Sequence, residues 1–347
     1  MVSKYSEALL VMRYHAIALF AAVSSVPALA ANETALELST GGLVFVRSEN
    51  LELLWEDLAI SPSEISIRYR IFNKSEQEVP VLIVFPMPDI HVETPDDSFA
   101  VPTDDPVNLL AFSVSVNAEP VSPAVEQRVI AAGLDRTELL RNLEIPLAPH
   151  LASTNQVLDR LPPEKWDDLR RIGLAEIEEY DSGGGMKKHL AARWTLQTTF
   201  FWQQSFAPRA ETLIEQRYKP SLGAFPQTQL GSPNEAKEPW YDDYKERYCF
   251  NYEFLAALER ARKAAESKFG APYSEQRIEF SHKTWANGLG TPVKEFRLTV
   301  DKGSPDNLVS FCGEEAKKIS ETESQVFKSD YRPDGNFGVL FLKKLPQ

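Results

Sequence analysis

Residues 65–72 read Ile-Ser-Ile-Arg-Tyr-Arg-Ile-Phe, in which apolar and polar side chains alternate along most of the run. This period of two is typical of a β-strand with one buried face, because successive side chains point to opposite faces of a sheet. A second apolar run at 79–85 follows the polar segment 73–78, whose length and composition predict a hairpin loop. Pro86 and Pro88 end the second strand, because proline cannot donate a hydrogen bond to the ladder.

Similar strand patterns continue toward both ends of the chain. They lie at residues 43–46, 51–55, 112–116, 193–202, 211–218, 277–285, 293–300, 308–312, 325–331 and 338–342. Strands on both sides of inserted helices favour a mainly β (α+β) fold, an antiparallel β-sandwich whose sheets are completed by both ends of the chain. We therefore predict a single domain over residues 31–347.

Two segments of the sequence predict helices. From Pro123 onward, apolar residues such as Val125, Val129 and Leu139 recur at helical spacing, so we predict a helical insertion at about 123–180. A further helix is predicted at about 252–268, where the apolar side chains share one face and Gly270 is expected to end the helix.

The first 30 residues have the order of a secretory signal peptide. Positive charge comes first, an apolar run spans residues 16–23, and Ala28-Leu29-Ala30 forms a small-residue cleavage site. We predict cleavage between Ala30 and Ala31, whether translation begins at Met1 or at Met12. The apolar run is shorter than the about 20 residues that span a bilayer, so we expect no transmembrane anchor after cleavage. An uncleaved anchor is the alternative.

The chain has two cysteines, Cys249 and Cys312. An exported protein meets an oxidising compartment, and we predict that these two cysteines form one disulfide. A redox pair or a set of thiolate metal ligands is the alternative, but the C-x-x-C spacing typical of such sites is absent.

The charge balance of the chain is acidic. Its 50 Asp and Glu residues outnumber its 37 Lys and Arg residues, which gives a formal net charge of −13. Basic residues are spread thinly along the sequence, and a nucleic acid is bound by concentrated positive charge. We therefore expect no nucleic-acid partner.

Motifs of known enzyme classes are absent from the sequence. The G-x-S-x-G and S-x-x-K spacings of serine hydrolases do not occur. His91, His150, His189 and His282 are isolated from one another, so no zinc motif such as H-E-x-x-H is present. Gly183-Gly184-Gly185 precedes a predicted strand rather than a helix, which favours a hinge over a phosphate-binding loop. We predict no cofactor and no catalytic residues.

One acidic loop is a weak candidate for a metal site. Asp96, Asp97, Asp104 and Asp105 lie in a proline-rich segment and together could supply the oxygen ligands that calcium takes. Their spacing does not follow the D-x-D-x-D order of known calcium loops, so a solvated acidic loop is the favoured interpretation.

A group of aromatic residues is a candidate binding surface. Trp240 and Tyr241 lie near a proline in a predicted loop, where exposure is common, and could stack on a sugar ring. Asp242 and Asp243 could then accept hydrogen bonds from the sugar hydroxyls. Trp202 and Tyr218 occupy strand positions, for which burial in the core is the favoured interpretation.

Several short motifs are distributed along the mature chain. They are Gly41-Gly42-Leu43, Phe85-Pro86-Met87-Pro88, Trp202-Gln203-Gln204-Ser205-Phe206, Tyr218-Lys219-Pro220-Ser221, and the segment from Asp301-Lys302-Gly303 to Cys312. With these motifs the sequence resembles the exported bacterial family called domain of unknown function 4424 over nearly its whole mature length. The resemblance implies an envelope protein in the periplasm of a Gram-negative cell. It implies no activity and no catalytic residues.

Two hypotheses about function remain. The first is a non-enzymatic binding or envelope-assembly module that binds an envelope protein or glycan through loops or an edge strand. The second is a carboxylate-dependent hydrolase that acts on envelope glycans. A pocket lined by paired carboxylates, one with a raised pKa, would favour the enzyme, whereas an exposed apolar or aromatic patch would favour binding.

Overall fold

In the computed structural model, strands dominate the described residues, which are 37–45, 48–92, 100–181, 183–267, 270–281, 292–313, 315–333 and 335–346. The mainly β fold predicted from the sequence is confirmed. The strands are β1 (Thr40–Gly41), β2 (Val44–Phe45), β3 (Leu51–Ile60), β4 (Ile65–Asn73), β5 (Val79–Pro86), β6 (Ile90–His91), β7 (Ser113–Val116), β8 (Glu119–Val121), β9 (Ala124–Ala131), β10 (Leu134–Asp135), β11 (Ala175–Asp181), β12 (Met186–Ala192), β13 (Thr195–Phe206), β14 (Glu211–Tyr218), β15 (Gly223–Phe225), β16 (Tyr273–Ser281), β17 (Val293–Asp301), β18 (Leu308–Phe311), β19 (Lys317–Lys318), β20 (Glu323–Tyr331) and β21 (Asn336–Lys344).

The helices are short and form two groups. The first group is α1 (Thr137–Asn142), α2 (Ala152–Asp159) and α3 (Pro163–Arg171), and the second is α4 (Tyr241–Arg247) and α5 (Tyr252–Ala264), preceded by a 3₁₀ turn at Glu235–Lys237. No helix in the described part of the chain is both long and apolar enough to cross a membrane.

Three large sheets and one hairpin account for the strands. The eight-stranded sheet has the order β19-β20-β17-β3-β4-β14-β7-β8. The six-stranded sheet has the order β10-β9-β13-β5-β2 with β6 also on β13, and the five-stranded sheet has the order β1-β16-β21-β18 with β15 also on β16. Most neighbours are antiparallel, whereas β1 with β16 and β3 with β17 are parallel pairs.

One apolar core joins the three large sheets. Ile67 of the eight-stranded sheet, Ile83 of the six-stranded sheet and Phe341 of the five-stranded sheet belong to the same buried cluster. A second, smaller cluster lies on the other face of the five-stranded sheet, where Leu340 and Leu342 pack with residues of α4 and α5. The five-stranded sheet is therefore covered on both faces.

The predicted hairpin around residues 73–78 is wrong. β4 and β5 belong to different sheets, and the antiparallel partner that follows β3 is β4. The reason is Asn73, which is fully buried and donates from its side-chain amide to the carbonyl oxygens of Gln77 at 2.8 Å and Phe206 at 2.9 Å. These bonds hold the polar segment where the chain crosses from one sheet to the other.

The predicted helical insertion at 123–180 is also wrong at its two ends. Residues 124–131 form β9, which pairs along β13 from Thr195 with Ile130 to Phe201 with Ala124. Long-range pairing outweighs the helical spacing of Val125 and Val129, because strand preference depends on the neighbouring strands. Helices occupy 137–171 in three pieces, and β11 follows at Ala175–Asp181.

The second predicted helix begins where expected and ends earlier. It covers Tyr252–Ala264, with Ala265 as the C-cap, so Gly270 does not end it. Glycine is needed at position 270 for another reason: a Cβ atom there would lie 2.2 Å from the carbonyl oxygen of Thr228. The predicted leader, with Ala30 and Ala31, lies outside the described residues, and the single-domain organisation stays a prediction.

Candidate functional site

Strand β18 forms an edge of the five-stranded sheet. It pairs with β21 from Leu308 opposite Leu342 to Phe311 opposite Val339. In the described ranges no strand pairs with its other side. An unpaired strand edge presents backbone N–H and C=O groups that can pair with another chain. This edge is the first candidate for a binding site.

A groove with a volume of about 430 Å³ runs along this edge. Its floor is β18 itself. One wall is α5, with Glu253, Ala257 and Arg260, and the other wall is formed by Lys318 and residues 321–324 around the turn into β20. Both walls carry charges of both signs, so the groove suits a polar partner of mixed charge.

The two walls face opposite sides of the strand. Leu308 packs toward the smaller cluster under α5, which contains Phe254, whereas Val309 and Phe311 pack toward the main core. Side chains of a strand that paired with β18 would alternate in the same way. They would contact the α5 wall and the β19–β20 wall in turn.

Three local contacts hold β18 in place. A disulfide joins Cys312, directly after β18, to Cys249 between α4 and α5, with the two Cα atoms 5.0 Å apart. Ser310 donates from its hydroxyl to the carbonyl oxygen of Tyr248 at 2.9 Å. Before the strand, the Lys302 ammonium donates to the carbonyl oxygen of Asn307 at 2.6 Å. The edge is therefore fixed at both ends, and the predicted disulfide is present in the structure.

A second polar cluster lies inside the protein, on the α4 side of β16. The Tyr244 hydroxyl donates to Glu275 Oε1 at 2.7 Å and accepts from Arg277 Nη1 at 2.7 Å. The Thr228 hydroxyl donates to Glu275 Oε2 at 2.9 Å, and Arg277 Nη2 donates to Glu37 Oε2 at 2.9 Å. This cluster contains two carboxylates, so it is where the hydrolase hypothesis has to be tested.

The chemistry of this cluster favours a structural role. Burial raises the pKa of both Glu275 and Glu37 above the ordinary glutamate value. The adjacent cavity, lined by Trp240, Tyr244 and Glu275 among others, has a volume of about 20 Å³. Such a volume holds about one water molecule and no sugar ring. The carboxylates therefore tie the segment at Glu37 and α4 to β16, and the cavity beside Glu275 is too small for a sugar substrate.

The raised pKa of Glu275 predicts a pH dependence of stability. Between about pH 4.3 and that raised pKa, the folded chain holds a proton that the unfolded chain releases, so stability decreases as pH rises through this window. The Glu275→Gln variant should lack this decrease. We therefore expect the thermal unfolding midpoint of the wild type to exceed that of the variant most at low pH. Midpoints of the two proteins, measured from pH 4 to pH 8, check this.

The control for this experiment is Glu259→Gln on α5. The Glu259 side chain accepts from Lys263 on the surface, which lowers the pKa of Glu259. The contribution of Glu259 to stability therefore increases as pH rises, opposite to that of Glu275. Parallel curves for wild type and Glu275→Gln would contradict the proposed burial effect.

The structure separates the residues of the predicted aromatic surface. Tyr241 is buried rather than exposed, and it begins the helix α4 rather than lying in a loop. Trp240 is half-buried, with its ring 5.3 Å from that of Tyr244 in an edge-on contact. Asp242 and Asp243 are exposed in the first turn of α4, where negative charge suits the helix dipole. Tyr241 is therefore a core residue, and ligand binding by Trp240, Asp242 and Asp243 stays a prediction.

Of the predicted acidic loop, Asp104 and Asp105 lie in the described residues, and Asp96 and Asp97 lie outside them. Asp104 is exposed. Asp105 accepts from the backbone N–H groups of Val107 and Asn108, which lowers its pKa. In the described part of the chain, no three His, Cys, Asp or Glu residues are placed to hold a metal. The solvated acidic loop stays the expectation, and the weaker calcium candidate is not tested.

The groove at β18 could not be recognised from the sequence. Its strand was predicted at 308–312, but an edge position depends on which strands pair, and no local pattern determines this. The predicted core positions Trp202 and Tyr218 are both buried, with exposed fractions of 8% and 2%.

The comparisons with known proteins concern family and fold. A crystal structure of a candidate nutrient binding protein from Legionella pneumophila subsp. pneumophila str. Philadelphia 1 is 14% identical, with a TM-score of 0.45, over 89% of this chain and 72% of that chain. This likeness is too distant to transfer a function. No functionally curated protein matches the sequence. The family model for domain of unknown function 4424 matches residues 31–340, and the chain belongs to that family.

Proposed function

We propose that this protein is an exported, non-enzymatic binding module that takes an extended segment of an envelope protein into the groove at β18. Export is supported by the signal-like first 30 residues and by the disulfide, since disulfides persist in oxidising compartments such as the periplasm. The observation on which the proposal depends is the edge of β18 at the floor of a 430 Å³ groove, an edge with which no strand of the described residues pairs.

An extended peptide is the occupant that this edge suits best. Its backbone N–H and C=O groups can continue the ladder of the five-stranded sheet, as in other complexes formed by strand addition. Its side chains would meet the α5 wall and the β19–β20 wall alternately. A glycan has no regular series of donors and acceptors at the spacing of a strand, so it would leave part of the edge unpaired.

The rival function, hydrolysis of envelope glycans, has weaker support. The buried carboxylates Glu37 and Glu275 are engaged by Arg277, Tyr244 and Thr228. The cavity beside Glu275 holds about one water molecule. Neither carboxylate lines the groove at β18.

The test uses the mature protein and a phage-displayed library of random 12-residue peptides. We expect selected peptides to lose binding at least tenfold in Ala257→Trp, because the indole would fill the groove at a half-buried position of its wall. The matched control is Ala264→Trp, which adds the same volume at an exposed position on the same helix outside the groove. This control should keep the wild-type affinity.

Strand addition makes a second, sharper prediction for the same peptides. Methylation of single backbone nitrogens should weaken binding at every other position, because alternate N–H groups of an added strand point to β18. The proposal fails if no peptide is enriched or if Ala257→Trp binds as well as wild type. It also fails if the effect of methylation on affinity does not alternate along the peptide.

A further inference from the structure

The outer face of the eight-stranded sheet carries an unusual tryptophan. In β3, Leu51 and Leu53 are fully buried before a β-bulge between Leu53 and Trp55, and Leu58 is fully buried after it. The bulge adds one residue, so the buried positions change from odd to even numbers. Bulges redirect side chains in this way. Trp55 thereby lies on the outer face, half-buried.

Three arginines surround this indole ring. The guanidinium carbons of Arg68, Arg70 and Arg297 lie 5.3, 5.5 and 5.4 Å from the ring centroid of Trp55. Such distances allow cation–π attraction. Arg68 and Arg70 come from β4 on one side of β3, and Arg297 comes from β17 on the other side. Three guanidinium groups from two strands therefore lie around one ring on the surface of this acidic chain.

One buried carboxylate compensates two of these arginines. Asp57 is paired with Arg68 and, at 3.3 Å, with Arg297 Nε. Arg70 makes a looser ion pair with Glu211 at 3.8 Å, and its side chain is half-exposed. A guanidinium presents five N–H donors in a planar fork, which fits a carboxylate in two-point contact. Arg70 thus keeps donors available for an incoming anion.

A depression with a volume of about 440 Å³ lies over this cluster. It is lined by Leu54, Trp55, Arg70, Lys294, Glu295 and Arg297. Phe327 is the cross-strand partner of Arg297 and is 57% exposed, so an apolar ring projects from the same sheet face beside the depression. The site therefore combines guanidinium donors, one carboxylate acceptor and a neighbouring apolar surface.

We propose that this depression binds a uronic acid residue of a short acidic oligosaccharide. The sugar carboxylate pairs with Arg70 and Arg297, a sugar hydroxyl donates to Glu295, and the C–H face of the ring rests on Phe327. Glu295 favours a group that carries a single negative charge together with hydroxyl donors over inorganic phosphate or sulfate, because its carboxylate accepts from a hydroxyl and repels a doubly charged group. The acidic remainder of the protein favours a short oligomer over a long polyanion.

The experiment is isothermal titration of the mature protein with tetragalacturonate. Its fully methyl-esterified form, which is neutral, and inorganic phosphate serve as comparison ligands. We expect the wild type to bind the acid form. Its affinity should fall about tenfold in Arg70→Ala and in Arg297→Ala, since each variant loses a charge-assisted hydrogen bond to the ligand. Phe327→Ala should weaken it several-fold. The control Arg128→Ala removes the same charge from an exposed position on β9 and should change nothing.

Each outcome decides the proposal. Arg70 and Phe327 are both largely exposed, so their variants test it even if Arg297→Ala fails to fold. The proposal is overturned if wild type gives no binding heat at millimolar ligand, if the neutral ester binds equally well, or if Arg128→Ala weakens binding as much as Arg70→Ala. If phosphate binds as tightly as the oligosaccharide, the depression is a general oxyanion site, and the proposal is also overturned. Ala257→Trp should leave this binding unchanged, because the β18 groove is a separate site.

Discussion

The Cys249→Ser, Cys312→Ser double variant is expected to unfold with a free energy lower than that of the wild type by about 4 kcal/mol. The two cysteines are 63 positions apart, so their cross-link removes a large number of conformations from the unfolded chain. In the folded chain the same bond joins the end of β18 to the segment between α4 and α5. Its loss should therefore also weaken peptide binding in the groove, because the strand edge is held less firmly.

Urea unfolding with and without reductant measures this effect. Both cysteines are exposed, so a reductant should reach the bond in the folded protein and lower the stability of the wild type to that of the double variant. The double variant should not respond to reductant. A difference below about 1 kcal/mol would show that the cross-link does not constrain the unfolded chain as proposed. Stabilisation of the reduced protein by zinc would instead favour the metal-thiolate alternative.

Local patterns in the sequence predicted individual elements well. The alternation at 65–72 is the strand β4, and the apolar face starting at Tyr252 is the helix α5. These patterns succeed because they depend on neighbours that are two, three or four residues away. The disulfide was also predictable, since an exported chain with two cysteines has one way to pair them.

The arrangement of the strands into sheets was not predictable in the same way. The alternation in β4 and β5 indicates which side chains are buried, but it does not indicate which sheet each strand joins. The buried amide of Asn73 decides this by bonding to Phe206, 133 residues away. The strand β9 was missed for a similar reason, because its pairing with β13 outweighs its local pattern.

Both candidate sites arise from such long-range pairing. The groove exists because β18 is the last strand of its sheet, and the arginine cluster exists because β17 pairs in parallel with β3. One local signal was available for the second site. In residues 51–60 the alternation of apolar and polar residues breaks at Leu54-Trp55, which is typical of a bulge. In the predicted surface at Trp240 and Tyr241, the ring of Tyr241 is buried in the smaller cluster, whereas Trp240 is half-buried, and ligand binding there stays a prediction.

The Arg277→Ala variant is expected to lose about 3–5 kcal/mol of stability at pH 7, the typical cost of removing one partner from a buried ion pair. The Arg277 side chain is 5% exposed, and its Nη2 atom pairs with Glu37, whose side chain is 12% exposed. Without the guanidinium, the Glu37 carboxylate would remain in the interior without its ion-pair partner, and only the more distant attraction of Arg247 would act on it. The ring of Phe225, 4.8 Å from the guanidinium carbon, would also lose a contact.

The pH dependence of this loss distinguishes a charge effect from a packing effect. Burial raises the pKa of Glu37 and of Glu275, so both carboxyls take up a proton more readily than ordinary glutamates as pH falls. The loss in Arg277→Ala should therefore shrink between pH 7 and pH 4.5, and adding Glu37→Gln should recover part of it at pH 7. Urea unfolding of the single and double variants at both pH values measures these changes.

The matched control for this prediction is Arg217→Ala, which removes an arginine that pairs with carboxylates on the surface. Arg217 pairs with Glu64 and Glu215 on the surface of β14, with 54% of its side chain exposed. Exposed pairs contribute at most about 1 kcal/mol, because water screens them. An equal loss in the two variants, or a loss in Arg277→Ala that stays constant from pH 7 to pH 4.5, would mean that Arg277 stabilises the fold through the packing of its side chain rather than through its charge.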